Sequence, residues 1–330
     1  MREMRDKLVS RVKELLADGS CDRVIGWRAG EFCYDVTPEI FTADNVDEMI
    51  FDDFCGPNQS KYLVNAPKSD DKKIIVLLKP CDSYSYNELI TEHRIQPEKI
   101  HAIGVPCTGM VDIDKIRAKG IAGITGIEED EAGTMLTVHT IYGDSTVAKK
   151  DVLEDRCYFC KGKKHVAGDE MLVPDEEAPD TPEAGDRMAE VARLEAMAPQ
   201  ERFDFWRSQL SKCIRCNACR NACPACTCRT CVFDNPASGV SAKVNVNSFE
   251  ENMFHIIRAF HVAGRCTDCG ECSRVCPQNI PLHLLNRKFI KDIDELYGTF
   301  QAGAEPDVRG PLVSYTEGDA EASVVLRREN

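Results

Sequence analysis

Cys213-Ile214-Arg215-Cys216-Asn217-Ala218-Cys219-Arg220-Asn221-Ala222-Cys223-Pro224 and Cys266-Thr267-Asp268-Cys269-Gly270-Glu271-Cys272-Ser273-Arg274-Val275-Cys276-Pro277 repeat one pattern, C-x-x-C-x-x-C-x-x-x-C-P. Bacterial two-cluster ferredoxins use this spacing. The first three thiolates surround one 4Fe-4S cluster, and the fourth, set off by three residues and a proline, ligates the other. Read this way, Cys213, Cys216, Cys219 and Cys276 form one ligand set, and Cys266, Cys269, Cys272 and Cys223 form the second. Short C-x-x-C spacing also suits tetrahedral zinc, but two complete runs of four, each closed by proline, exceed what a structural zinc knuckle uses. The runs predict a paired-cluster unit that carries electrons.

The stretch between the runs is long for a minimal ferredoxin with its short strands. Ser248-Phe249-Glu250-Glu251 has capping-box spacing, and Phe249 to Ala263 carries an apolar stripe stopped by Gly264, so a helix is expected there. Leu282 to Tyr297 reads as another helix, which makes residues 211–298 a mainly helical two-cluster ferredoxin-like domain. Residues 168–210 read as an acidic linker and helix: Asp169 to Asp186 is rich in Asp, Glu and Pro, and Arg187 to Leu210 recovers helical periodicity. Residues 299–330 read as an extended, exposed C-terminal tail.

Composition agrees with metal ligation. Of 18 cysteines in 330 residues, eleven fall between Cys213 and Cys276, and a chain of this size has no need of disulfide staples. The formal net charge of -14 makes nucleic acid a poor partner. Met1 to Ser20 is a charged amphipathic stretch without the apolar core of a signal peptide. The apolar run Ile74 to Leu78 is far too short for a bilayer. The expected setting is the reducing cytoplasm of an anaerobe.

Residues 1–167 read as an α/β domain with a mixed or parallel sheet and hairpins. Helices are expected near Arg5 to Ala17, through Val46 to Leu63 and over Ser83 to Glu92, and strands around Arg23 to Trp27, Lys72 to Leu78 and Lys99 to Val105. Ile121 to Val147, with turn signals at Asp130 to Gly133 and Gly143-Asp144, predicts one or two hairpins. Cys81 and Cys107 each fall just past the carboxyl end of a strand, the edge at which open α/β sheets bind ligands. With Cys157-x-x-Cys160 they make four thiols outside the ferredoxin runs. Four thiolates suffice for a third 4Fe-4S cluster, but their dispersed order equally allows four buried, inert thiols.

Lys79-Pro80-Cys81-Asp82, then Gly104-Val105-Pro106-Cys107 with Gly109, then Cys157-Tyr158-Phe159-Cys160, all after a segment ending Lys61-Tyr62-Leu63, resemble the beta-subunit family of coenzyme F-420-reducing hydrogenases and formate dehydrogenases. The resemblance covers about residues 1–175. It implies a third cluster on Cys81, Cys107, Cys157 and Cys160, FAD close by, and electron exchange between a metal-bearing catalytic subunit and a soluble hydride carrier. The two-run segment is similar to modules of heterodisulfide-reductase-like and hydrogenase-like electron-transfer complexes. The chain departs from a simple member by appending that module, and it offers no identifiable deazaflavin contact. No G-x-G-x-x-G or G-x-x-x-x-G-K-[ST] occurs. FAD would therefore be held by loops at the carboxyl edge of the sheet, where Lys79, Thr108 and Gly109 are the candidate contacts.

Cys226, Cys228 and Cys231 follow the first run and could supply three ligands to an additional metal, with a fourth from Cys21, Cys33, Cys55 or another subunit, or simply pack beside the clusters. Cys21, Cys33 and Cys55 themselves read as small buried hydrophobes. No H-E-x-x-H, Ser-His-Asp or paired-carboxylate pattern stands out, and no catalytic residue is assigned. The expected function is that of an electron-transfer subunit joining a hydrogenase, formate dehydrogenase or heterodisulfide-reductase-like partner to a soluble carrier. The alternatives are a self-contained flavoenzyme that reduces a deazaflavin or ferredoxin, and a docking or scaffold subunit stabilised by metals.

Overall fold

Two parallel strands set the position of the first cysteines. β4 (Lys73–Leu78) and β5 (Ile100–Gly104) follow β1 (Cys21–Ala29), β2 (Val36–Phe41) and β3 (Met49–Ile50) in the chain, and β4 pairs in parallel with both β1 and β5. The computed structural model describes residues 2–66, 72–178, 185–235 and 248–313. β2 and β3 run antiparallel to β1, so the sheet is mixed, with path order β2-β1-β4-β5. The unbroken apolar run in β4 is explained by cover on both faces. Ile75 and Leu77 share a core with Leu8, Val12 and Leu15 of helix α1 (Arg2–Ala17), while Val76 and Leu78 share another with Tyr86 and Leu89 of α2 (Pro80–Thr91). Full burial of each such side chain stabilises by about 1.5–3 kcal/mol.

Beyond the sheet, α3 (Ile113–Ala118) leads to a separate antiparallel sheet of two hairpins, β6 (Ile124–Glu129), β7 (Met135–Thr140) and β8 (Ser145–Ala148). The short helix α4 (Asp155–Tyr158) carries Cys157, and β9 (Glu170–Met171) then adds a parallel strand to β5. The remaining helices are α5 (Ala189–Ala196), α6 (Pro199–Leu210), α7 (Ala218–Asn221), α8 (Ser248–Val262), α9 (Glu271–Arg274) and α10 (Leu282–Tyr297). No helix among the described residues is long and apolar enough to cross a membrane.

Several expectations need correction. The helix through Val46 to Leu63 is absent: 3₁₀ turns at Val46–Glu48 and Gln59–Asn65 flank β3 and the Gly56-Pro57 turn. Proline removes a helical donor and pushes the residue before it toward extended backbone, and the Asn58 carboxamide then caps Ser60 N at 3.1 Å. Arg187 to Leu210 is two helices, because Pro199 begins a new one at its first position. Part of the acidic linker belongs to the sheet: Glu170 receives Arg11 at 3.0 Å, and Asp169 accepts from Ala102 N at 2.7 Å. Residues 179–184 of that linker lie outside the described residues. The start of the tail is packed, since Asn87 Nδ2 donates to Gly303 O at 3.1 Å and Asp307 N to Thr91 Oγ1 at 3.0 Å. Residues 314–330 lie outside the described residues.

Candidate iron-sulfur centres

The parallel register aligns Leu78 with Gly104, so the loops that leave β4 and β5 start at the same edge. Cys81 sits in the first turn of α2 and Cys107 in the loop after β5, and α4 brings Cys157 and Cys160 over them. All four thiols line one buried cavity with Lys79, Gly109, Arg156 and Lys161. Cys269, from the second ferredoxin run, lines the same cavity. The structure thus gathers the dispersed set that spacing alone left open, and places it directly against the second run.

Burial raises all four thiols, Cys107 to about 11, and cations oppose it: Lys79 acts on Cys81 and Cys107, and Arg156 on Cys157 and Cys160. Such thiols stay protonated when free and lose their protons on binding a metal. Backbone donors already point at sulfur: Met110 N lies 3.3 Å from Cys157 Sγ, and Gly162 N lies 3.3 Å from Cys160 Sγ. An all-sulfur, buried set met by N–H donors and flanked by cations fits an iron-sulfur group.

The two runs fold alike. In each, the second and fourth residues after the first cysteine have left-handed backbone: Arg215 (φ 56°) and Asn217 (φ 62°) in one, Asp268 (φ 53°) and Gly270 (φ 71°) in the other. α7 and α9 start at equivalent positions immediately after these turns. Alternating conformations of this kind turn successive N–H groups inward and form an anion-binding concavity. Arg215 N accordingly lies 3.4 Å from Cys213 Sγ, and Asn286 Nδ2 of α10 lies 3.6 Å from Cys272 Sγ. The thiol of Cys223, from the first run, interacts electrostatically with Cys266, Cys269 and Cys272 of the second. Cys219, Cys213 and Cys276 pack in one core with Cys272, and Cys216 is exposed.

Side chains that the motifs did not reveal tie the two regions together. Arg156 bridges Glu154 and Glu271 and donates to Cys269 O at 3.3 Å and Gly56 O at 3.0 Å. Lys161 donates to Thr267 O, and Ser85 Oγ meets Thr267 Oγ1 at 2.9 Å. Asp268 receives Arg287 at 2.8 Å. The usable signal was small: Arg156 and Lys161 immediately flank Cys157 and Cys160, where basic residues would balance thiolate charge.

The residues named for a flavin have other partners. Lys79 is 1% exposed, and its ammonium pairs with Asp82 at 2.9 Å, donates to Pro57 O at 3.0 Å and lies 4.6 Å from the Trp27 ring centroid. Thr108 Oγ1 accepts from Lys149 at 2.8 Å, and a Cβ at Gly109 (φ 98°) would meet Leu153 at 2.8 Å.

Cys226, Cys228 and Cys231 line one pocket of about 560 Å³ with Lys61, Arg220, Arg258 and Arg265. Cys21 and Cys55 are buried in the sheet core, as expected; Cys33 is half-buried, and none of the three lines that pocket. Among the described residues, no three His, Cys, Asp or Glu side chains converge as a single metal ion requires, which is true of the cluster-motif cysteines as well as of these three. A tetrahedral zinc would need sulfurs about 3.8 Å from one another, roughly 1.6 times the usual bond.

The family described as "4Fe-4S dicluster domain" matches residues 209–280. The chain is 25% identical to the F420-dependent formate dehydrogenase subunit beta of Methanocaldococcus jannaschii, over 86% of this chain and 88% of that protein. It is 24% identical to the F420-dependent formate dehydrogenase 1 subunit beta of Methanococcus maripaludis, over 67% of this chain and 72% of the relative. A chain of the F420-reducing [NiFe] hydrogenase complex from Methanosarcina barkeri aligns with TM-score 0.38 and 16% identity, covering 50% of this chain and 63% of that one. The resemblance stated from the cysteine motifs is thus found across most of the chain, with a dicluster domain near its C-terminal end.

Proposed function

We propose that this chain is an iron-sulfur electron-transfer subunit of an oxidoreductase complex of the F420-dependent formate dehydrogenase or hydrogenase type. One observation carries the reading: Cys269 of the ferredoxin run lines the same cavity as Cys81, Cys107, Cys157 and Cys160. An isolated ferredoxin appended for unrelated reasons would have no need to share a wall with the α/β part.

In this reading the α/β part, closed by β9, holds one 4Fe-4S site on Cys81, Cys107, Cys157 and Cys160. The mainly helical two-cluster part holds the others, on Cys266, Cys269, Cys272 and Cys223 and on Cys213, Cys216, Cys219 and Cys276. Bound clusters supply one-electron redox chemistry. The protein's own contribution is to seat the three ligand sets in adjoining loops, to keep water from most of the thiols, and to aim backbone N–H groups at sulfur. Lys79, Arg156 and Lys161 offset thiolate charge where the two parts meet. Oxidation of formate or hydrogen falls to a partner subunit, and a soluble carrier accepts or delivers the electrons. Where the carrier takes a hydride, a bound FAD would convert between two-electron and one-electron transfer, and Lys79, Thr108 and Gly109 at the carboxyl edge of the sheet stay its candidate contacts.

The test is anaerobic purification from the native host with associated subunits, followed by iron, sulfide and flavin counts. The expected result is co-purification with a catalytic subunit and about twelve iron atoms per copy, four for each cluster. Recovery as a lone polypeptide would overturn the complex-subunit reading, and recovery without iron would overturn the redox reading.

A further inference from the structure

Arg258 is a buried cation on α8 that faces both ferredoxin runs. It is 4% exposed, and its Nη2 donates to Cys219 O at 3.1 Å. Its Nε has no hydrogen-bond partner. The charges that act on it most strongly are the thiols of Cys223, Cys272, Cys219 and Cys226. Cys219 belongs to one ligand set and Cys223 and Cys272 to the other, so the guanidinium lies between the two.

A buried, permanently charged guanidinium is costly unless something nearby compensates it. Thiols that remain neutral do not. Thiolates around clusters do, and the interaction is mutual: a fixed positive charge favours the reduced cluster, which carries one more negative charge. We propose that Arg258 is the shared counter-charge of the two ferredoxin-type clusters and raises the reduction potential of both. This inference rests on the cluster assignment above and concerns a residue that no cysteine motif includes.

Its surroundings make the charge effective. Lys61, which donates to Cys226 O at 2.6 Å, lines the same pocket and adds positive potential on the same side, whereas Arg265, also in the lining, is ion-paired with Glu92. His255, one turn earlier on α8, is 2% exposed with both ring nitrogens unpartnered, and burial together with Arg258 and Arg215 holds it neutral. The field at the clusters therefore comes from the arginines and the lysine and not from a titrating imidazole. Arg258 is a positioning residue for the electron: it acts on cluster potential without ligating iron.

The experiment is an EPR-monitored redox titration of the full chain carrying Arg258→Gln or Arg258→Lys, beside the unsubstituted protein. Gln retains a donor for Cys219 O without charge, and Lys retains charge without the planar fork. The expected result is that Arg258→Gln makes reduction of each of the two clusters at least tenfold less favourable, a downward shift of 59 mV or more for one electron. Arg258→Lys should recover more than half of that shift. Unchanged potentials in a fully iron-loaded Arg258→Gln protein would overturn the proposal. So would equal shifts in the two variants, which would trace the effect to packing, or loss of iron from both, which would make the role structural. Absence of iron in the unsubstituted chain is a separate outcome and would fail the cluster assignment itself.

Discussion

The two cysteine-bearing regions reach similar sites by opposite routes. In the ferredoxin runs the ligands are neighbours in sequence, and the backbone between them repeats the same left-handed turns in both copies. On the α/β side the cysteines come from three separate segments, and only the parallel register of β4 and β5 and the return of α4 bring them together. A local site is written in spacing, whereas a dispersed one is written in topology. Both bring backbone N–H donors to sulfur.

The largest expected effect separates the two routes. Cys107→Ala should remove one four-iron group, about a third of the iron, and leave the magnetic signature of the ferredoxin pair intact. Cys223→Ala should instead disturb the set containing Cys266, Cys269 and Cys272, although Cys223 lies in the other run. Iron analysis with EPR spin quantitation checks both. Full iron in Cys107→Ala would break the comparison, because the dispersed thiols would then be inert.

The difference explains what could be read before any coordinates. The dicluster segment was legible because cysteine spacing needs no tertiary information, and the strand ends that carry Cys81 and Cys107 were legible because β4 is a continuous apolar run. The neighbourhood of Arg156, Lys161 and Cys269 was not, since it depends on how two parts of the chain dock. The helix expected through Val46 to Leu63 failed because apolar periodicity was weighed above Gly56-Pro57. Lys79 was named for its place at the carboxyl edge of the sheet, and its ion pair with Asp82, one helical turn on, could not be read from that place. Sequence showed which residues carry chemistry and could not show which were already partnered.

The seam between the regions gives the next effect in size. Arg156→Met leaves Glu271, 1% exposed, with Arg274 as its remaining ion-pair partner and removes donors from Cys269 O and Gly56 O. Breaking one side of a buried network costs about 3–5 kcal/mol. Thermal unfolding followed by near-UV and visible absorbance should show the loss as a lowered midpoint. A midpoint equal to that of the unsubstituted chain would mean that the two regions are held together elsewhere.

Glu88 provides a smaller, pH-dependent probe of the same seam. Burial, with the neighbouring Glu92 carboxylate adding to it, pushes Glu88 well above the usual range, against a weaker pull from Arg265. The folded chain therefore keeps a proton that the unfolded chain releases near pH 4.3. Stability from this group is full below that pH, and it declines as pH rises from there through the folded-state value. Glu88→Gln should flatten the decline and gain about 1–2 kcal/mol over the unsubstituted chain at pH 8 relative to pH 5. Denaturant titrations at the two pH values decide it, and parallel curves would place the Glu88 carboxyl in solvent contact.

The smallest expected effect concerns the thiols that follow the first run. Cys226, Cys228 and Cys231 share a pocket with five cations, Lys61, Arg220, Arg229, Arg258 and Arg265, which invites a metal reading. Cys228 is exposed, and Cys226 packs beside Cys223, with Ala225, Val262 and Cys266 in the same cluster. The expectation is that Cys226 is a small packed neighbour of the ligand loop, with Cys228 open to solvent. Cys228→Ala and Cys231→Ala should leave iron, sulfide and zinc content unchanged, by metal analysis of the anaerobic protein. Loss of metal from either variant would make this pocket a third kind of site, local in sequence like the ferredoxin runs but completed from outside the described residues.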